Sequence, residues 1–242
     1  KKAGRLRGGV TCRVLDKRQR LSLKDSFGDS FGDSFGESPK ERPKERPADR
    51  IEDRPMAFIA QPRLSNGMLT LRPLAEADFE GLYLAASSPE TWAGHPKHDR
   101  WQRSVFEPYF VFLLETGTTL AALDTSTGGI HEAKIIGCSR YYPAPDIKES
   151  MSIGFTFLDH LYWGGAWNRA MKALMLEHAF ETFDEVWLHI APTNIRSQKA
   201  AQKIGADYAY TADLAVTGAA TETLCYRISK TAWQQLSLNS SQ

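Results

Sequence analysis

Residues 158–168 read Leu-Asp-His-Leu-Tyr-Trp-Gly-Gly-Ala-Trp-Asn and join a segment of strand-like alternation to one with a helical apolar stripe. The consecutive glycines Gly164 and Gly165 allow the backbone to turn with positive φ and bring its N–H groups close to a ligand. The positive end of the following helix adds to those amides, making an anion site suited to a pyrophosphate. Its candidate residues are Trp163, Gly164, Gly165, Ala166, Trp167 and Asn168. Asn168 either caps the helix or donates to a phosphate oxygen. Neither a Walker lysine motif nor the GxGxxG dinucleotide pattern is present.

Candidate proton-handling groups lie on either side. Glu149, just before the strand that feeds this turn, is the leading candidate base, with Tyr141 or a water behind it; the bland alternative is a solvated glutamate. Ser197, three residues after Asn194, reads from the residues alone as a first-turn serine bonded to local backbone. His189 alternates with Leu188 and Ile190, facing the side of Trp187, and reads as a packed or rim histidine ahead of a catalytic one, and His178 falls on the stripe of Met171, Leu174 and Met175. His95, His98 and Asp99 lack metal-like spacing, so no metal site is expected.

Periodicity supplies the elements that must position these groups. Strands are expected over 68–72, 118–124, 134–142, 150–158, 186–191, 207–215 and 223–229, with a Gly128-Gly129 loop inside the first meander. Helices are expected over 78–86, 104–115, 168–182 and 195–204; Pro108 should kink or start the second, and Ser229 should cap a short last helix containing Trp233. That order predicts an α/β layout with a mixed sheet.

The segment from Val186 through Asn194, Arg196, Ser197, Lys203 and Gly205, together with the Tyr-Trp-Gly turn and Leu71-Arg-Pro-Leu, resembles the GNAT superfamily of N-acetyltransferases, in particular its ribosomal-protein N-terminal acetyltransferase-like branch. The resemblance covers about residues 69–233. It implies a central twisted mixed β-sheet, splayed at a cofactor cleft and flanked by helices, with acetyl-CoA as cosubstrate and a primary amine as acceptor, attacked directly. It also implies an oxyanion donor among the backbone N–H groups of residues 154–158, making Phe155 and Phe157 cofactor-binding, and cofactor contacts from Asn194 and Ser197, the serine lying near the departing thiol as a candidate catalytic proton donor. Trp163 and Trp167 then either pack or touch adenine or pantetheine. Leu161 departs from the polar residue common in the family, and Ala201 stands where a tyrosine acid is common. A catalytically weak CoA-binding module is therefore the alternative reading. Without a strong base, the easier acceptor is an α-amino group, roughly 14% neutral at pH 7, or a low-pKa amino sugar, rather than a lysine at about 0.04%.

Residues 1–55 contrast with the rest. They carry tandem tetrapeptides, Asp-Ser-Phe-Gly three times and Pro-Lys-Glu-Arg twice, and hold 15 Lys/Arg against 10 Asp/Glu; residues 56–242 hold 15 against 19. Such composition predicts a disordered leader, either an interaction tail or a linker preceding a native start at Met56, and one domain over 56–242. The folded part has no basic excess, which argues against nucleic acid. Cys12, Cys138 and Cys225 form no disulfide or zinc pattern, and no apolar run is long enough for a membrane helix, so a cytoplasmic protein is expected, with monomer and homodimer both open.

Overall fold

In the computed structural model, residues 57–127 and 133–239 are described. The expected disordered leader and the Gly128-Gly129 loop lie outside those residues.

Strand-period alternation builds one sheet of eight strands, in the order β1-β2-β3-β4-β5-β6-β8-β7. The strands are Leu64–Ser65 (β1), Leu69–Pro73 (β2), Thr119–Asp124 (β3), Lys134–Tyr142 (β4), Met151–Leu158 (β5), Glu185–Ile190 (β6), Asp207–Leu214 (β7) and Thr221–Ser229 (β8). Only β5 and β6 pair in parallel, so the sheet is mixed, as expected. The helices are Phe79–Ala86 (α1), Arg103–Glu115 (α2), Trp167–Ala179 (α3), Ile195–Lys203 (α4) and Lys230–Asn239 (α5). None among the described residues is long and apolar enough to cross a membrane.

Each face of the sheet buries its own core. Leu71, Leu120, Ile136 and Ile153 meet Met171, Met175 and Leu176 of α3 and Trp233 of α5. On the other face Leu82, Phe106, Phe110 and Leu113 of α1 and α2 cover Ala121, Cys138 and Phe157. Full burial of each such side chain contributes about 1.5–3 kcal/mol, which fixes the strand register. The corner between β2 and α1 is closed by Arg72, whose guanidinium donates to both oxygens of the buried Asp78, each at 2.6 Å.

Three local expectations change. Helix α3 opens one residue early: Ala166 is its cap and no side chain caps it, so Asn168 is its second residue rather than its cap. Pro108 lies inside α2 and does not start it; the residue is exposed, so the hydrogen bond it cannot donate is lost on the water side. The two-residue strand β1 was not anticipated. Ser229 does cap α5, its Oγ accepting from the amide of Ala232 at 3.2 Å.

Candidate functional site

The site begins where the sheet comes apart. β5 pairs with β4 along its length, but on its other side it meets β6 only at Met151↔Val186 and Ser152↔Trp187. β6 meanwhile keeps its full ladder with β8. From Ile153 and Leu188 onward the two strands therefore diverge, leaving a wedge with backbone on both walls.

A bulge shapes one wall. Between the register pairs Arg140↔Gly154 and Cys138↔Phe157, two residues of β5, Phe155 and Thr156, oppose Ser139 alone. Phe155 takes φ 52°, a left-handed conformation that costs a side chain about 1–2 kcal/mol. Bulges re-aim the chain and leave a residue unpaired in the ladder, so backbone groups of this stretch turn toward the wedge. Gly154 is required beside it: a Cβ there would come within 2.9 Å of the Tyr142 ring.

The open end of the wedge is the turn into α3. Asp159 is buried, accepts from the Leu161 amide at 3.1 Å and pairs with Lys134 at 3.3 Å, holding the turn to the end of β5. Gly164 then takes φ 76°, and the first-turn amides of α3 have no side-chain cap. Trp163 is anchored by its indole N–H on the Leu158 carbonyl at 2.9 Å, and the Arg196 guanidinium lies 3.7 Å from its ring centre. Trp167 packs edge-on against Tyr162. Across the wedge, Asn194 is buried and caps α4 by accepting from the Ser197 amide at 3.2 Å. Ser197 is thus a half-buried residue of the first turn beside Arg196.

Register and alternation put a polar row on the face that α1 and α2 leave uncovered. Tyr142 of β4 stands opposite Ser152 of β5, which stands opposite Trp187 of β6, and His189 follows two residues on. Tyr142 Oη and His189 Nδ1 are 3.0 Å apart. The Oγ of Ser152 and the Nε2 of His189 are buried and have no partner among the described residues. Burial pushes the imidazole below its ordinary value, so His189 is neutral at pH 7. Arg140 stands two residues before Tyr142, its guanidinium 4.6 Å from the ring centre of Phe155.

Beneath the bulge, Lys172 of α3 is buried and donates to Thr156 Oγ1 at 2.7 Å, while Thr156 and Ser139 share a hydrogen bond of 2.7 Å. No ion pair to Lys172 is seen among the described residues, and burial pulls its ammonium down to about 7.

Of the residues expected from sequence, Phe155, Phe157, Trp163, Gly164, Gly165, Ala166, Trp167, Asn168, Asn194 and Ser197 lie along β5, its turn into α3 and the cap of α4, around one wedge, but the Phe157 ring is packed in the core under α1 and α2 against Trp92 and Phe106, leaving only its backbone for the site. Glu149 does not join them. It is exposed, at φ 53°, in the loop before the closed end of the wedge, and β5 from Met151 to Phe155 alone spans about 13 Å. Tyr141 is fully buried on the α3 face and donates to the Met175 carbonyl at 2.7 Å. Sequence reasoning missed Tyr142 with His189, and Lys172. The histidine's strand alternation was visible, but its partner lies 47 residues away; an isolated lysine on the apolar stripe of α3 was a usable signal.

The chain matches the family described as Acetyltransferase (GNAT) domain over residues 68–207. No curated protein matches it in sequence. Among solved structures it is similar to a GCN5-related N-acetyltransferase from Brucella melitensis, with TM-score 0.63 and 16% identity over 75% of this chain and 85% of that one. An acetyltransferase of the GNAT family from Bacillus anthracis gives TM-score 0.55 at 13% identity, over 70% and 99%. RimJ from Mycobacterium smegmatis, in complex with CoA-disulfide, gives 0.51 at 17%, over 74% and 92%.

Proposed function

We propose, since this chain belongs to the GNAT acetyltransferase family, that it moves an acetyl group from acetyl-CoA to a primary amine by direct attack in a ternary complex. The observation that carries the reading is the wedge itself: a parallel ladder that stops after two residue pairs, with a bulge on one wall and an uncapped helix start at its mouth. Unpaired strand edges at that spacing suit an extended, amide-bearing chain such as pantetheine, and uncapped amides suit its diphosphate.

In this reading the amides at residues 164–168 hold the phosphates, with Trp163 and Trp167 as walls, and Asn194 fixes the start of α4 so that Ser197 faces the departing thiol. Backbone N–H groups of the bulge, between Phe155 and Phe157, donate to the oxygen that gains charge as the amine attacks. The base expected at Glu149 is reassigned to His189. In the tautomer whose Nδ1–H donates to Tyr142, Nε2 carries a lone pair and has no partner among the described residues, and such a neutral ring can take the proton from an ammonium. An α-amino group or a small amine of low pKa remains the favoured acceptor. Cys138 and Cys225 are free and buried, which supports a reducing, cytoplasmic setting.

The catalytically weak module is favoured by one observation, the buried Ala201 in place of a phenol. Calorimetric titration with CoA, alongside thiol release from acetyl-CoA in the presence of amines, separates the two. The enzyme reading expects binding, acceptor-dependent release, and at least about tenfold weaker binding in Gly165→Pro, which deletes a phosphate-facing amide. Binding without release leaves only the module, and no heat with CoA ends both.

A further inference from the structure

The Arg140 guanidinium lies 4.6 Å from the ring centre of Phe155, 5.4 Å from that of Phe112 and 5.6 Å from that of Tyr142. Its Nε donates to the Tyr141 carbonyl at 3.4 Å, while its two terminal nitrogens have no partner among the described residues. The aromatic rings stabilise the charge without consuming its N–H groups. A half-buried guanidinium with a free fork and no carboxylate is an arrangement that binds a planar or tetrahedral oxyanion.

The neighbourhood strengthens the case. Arg100, 3.6 Å from the ring centre of Tyr109, and Arg196 on Trp163 likewise form no ion pair among the described residues. Yet residues 56–242 carry more Asp/Glu than Lys/Arg, 19 against 15. Acidic residues are plentiful in the domain, and the carboxylate of Asp146 lies on the His189 side of the row, bonded to the Tyr210 hydroxyl, yet none of them pairs with these three arginines among the described residues. Arg140 stands opposite Gly154 in the ladder and shares its strand face with Tyr142, so it flanks the bulge on the side of the Tyr142–His189 pair.

We propose that the acceptor amine carries an anionic oxygen group, a carboxylate or a phosphate, and that Arg140 is the specificity residue that reads it; this rests on the transfer reading above. The amine then lies toward His189 while the anion lies on Arg140, at opposite ends of one short polar row.

The test measures thiol release from acetyl-CoA with acceptor pairs differing in the anion: serine against serinamide, and 2-aminoethyl phosphate against 2-aminoethanol. For the intact protein, kcat/KM favours the anionic member of at least one pair by about 10- to 100-fold, and the responding pair identifies carboxylate or phosphate. Arg140→Met retains a chain that packs on the three rings and drops the ratio to near one, chiefly through KM. Arg140→Lys, a point charge without the fork, gives an intermediate ratio and shows that the folded site persists. Release indifferent to the anion, or a preference that survives Arg140→Met, overturns the proposal alone. No release with either member of both pairs removes the transfer reading, and the proposal with it.

Discussion

Arg72 and Arg140 occupy strands of the same sheet, yet they are treated in opposite ways. Arg72 is clamped on Asp78, which also accepts from the Ala75 amide at 2.8 Å, and the pairing raises the guanidinium's already high pKa. Arg140 has three aromatic rings and no acid, and burial lowers its pKa. The same split runs through the molecule. The β2–α1 corner pairs its buried carboxylate; the wedge between β5 and β6 keeps, among the described residues, an unpartnered imidazole nitrogen, an unpartnered serine hydroxyl, a left-handed phenylalanine and a buried ammonium bound only to hydroxyls. Uncompensated features of this kind lower stability and survive where they act on something else.

That contrast can be broken from either side. The largest effect is expected at the wedge: His189→Phe keeps the ring packing but removes the proposed proton acceptor and leaves the buried Tyr142 hydroxyl unpaired, so kcat/KM falls by about 100- to 1,000-fold while stability falls by only about 1–3 kcal/mol. A rate within threefold of the parent would reduce His189 to a packing residue. Next is Arg72→Met, which leaves the carboxylate of Asp78 buried and unpaired. It costs about 3 kcal/mol of stability, lowering the melting temperature by roughly 6–12 °C, while the kcat of the folded enzyme is kept. Loss of rate at full stability would mean that the corner is not purely structural.

The smallest effect has the opposite sign. Lys172→Met leaves Thr156 and Ser139 bonded to each other and removes a poorly solvated cation, so stability rises by about 2 kcal/mol at pH 7. The ammonium titrates near 7 when folded and near 10.5 when unfolded, so the unfolded chain binds the proton more tightly between those values. The parent therefore gains stability relative to the variant as pH rises from about 7 to 10.5, and thermal melts of both across that window should converge. A constant difference would show that Lys172 is not taken up in a strained charge state.

Most of the fold could be read from period and punctuation. Alternation at residues 134–142 and 150–158, the stripe of Met171 and Met175, and the cap at Ser229 each depend on neighbours within a few positions. The turn from β5 into α3 was legible for the same reason, since Gly164, Gly165 and the helix after them are contiguous. What escaped was long-range. Phe155 carries no mark of its bulge, because the extra residue is defined by the register of β4. Tyr142 and His189 meet only after three strands have paired. Glu149 looked well placed from chain proximity to β5, but it sits before the closed end of the wedge, while the bulge lies along the strand toward the open end.

The interrupted ladder has one more consequence. Strand edges with free N–H and C=O groups ordinarily invite pairing with other molecules, and proteins blunt them with charge, proline or cover. Here two such edges lie inside the sheet and face each other, so neither can be extended by a neighbour's sheet. Because hydrogen bonding lapses between them, cohesion across the gap passes to the layer beneath, where Met171 and Met175 pack in one core with Ile153 on one side and Leu188 and Ile190 on the other. The protein thereby keeps a sticky edge available to a single slender molecule while hiding it from aggregation.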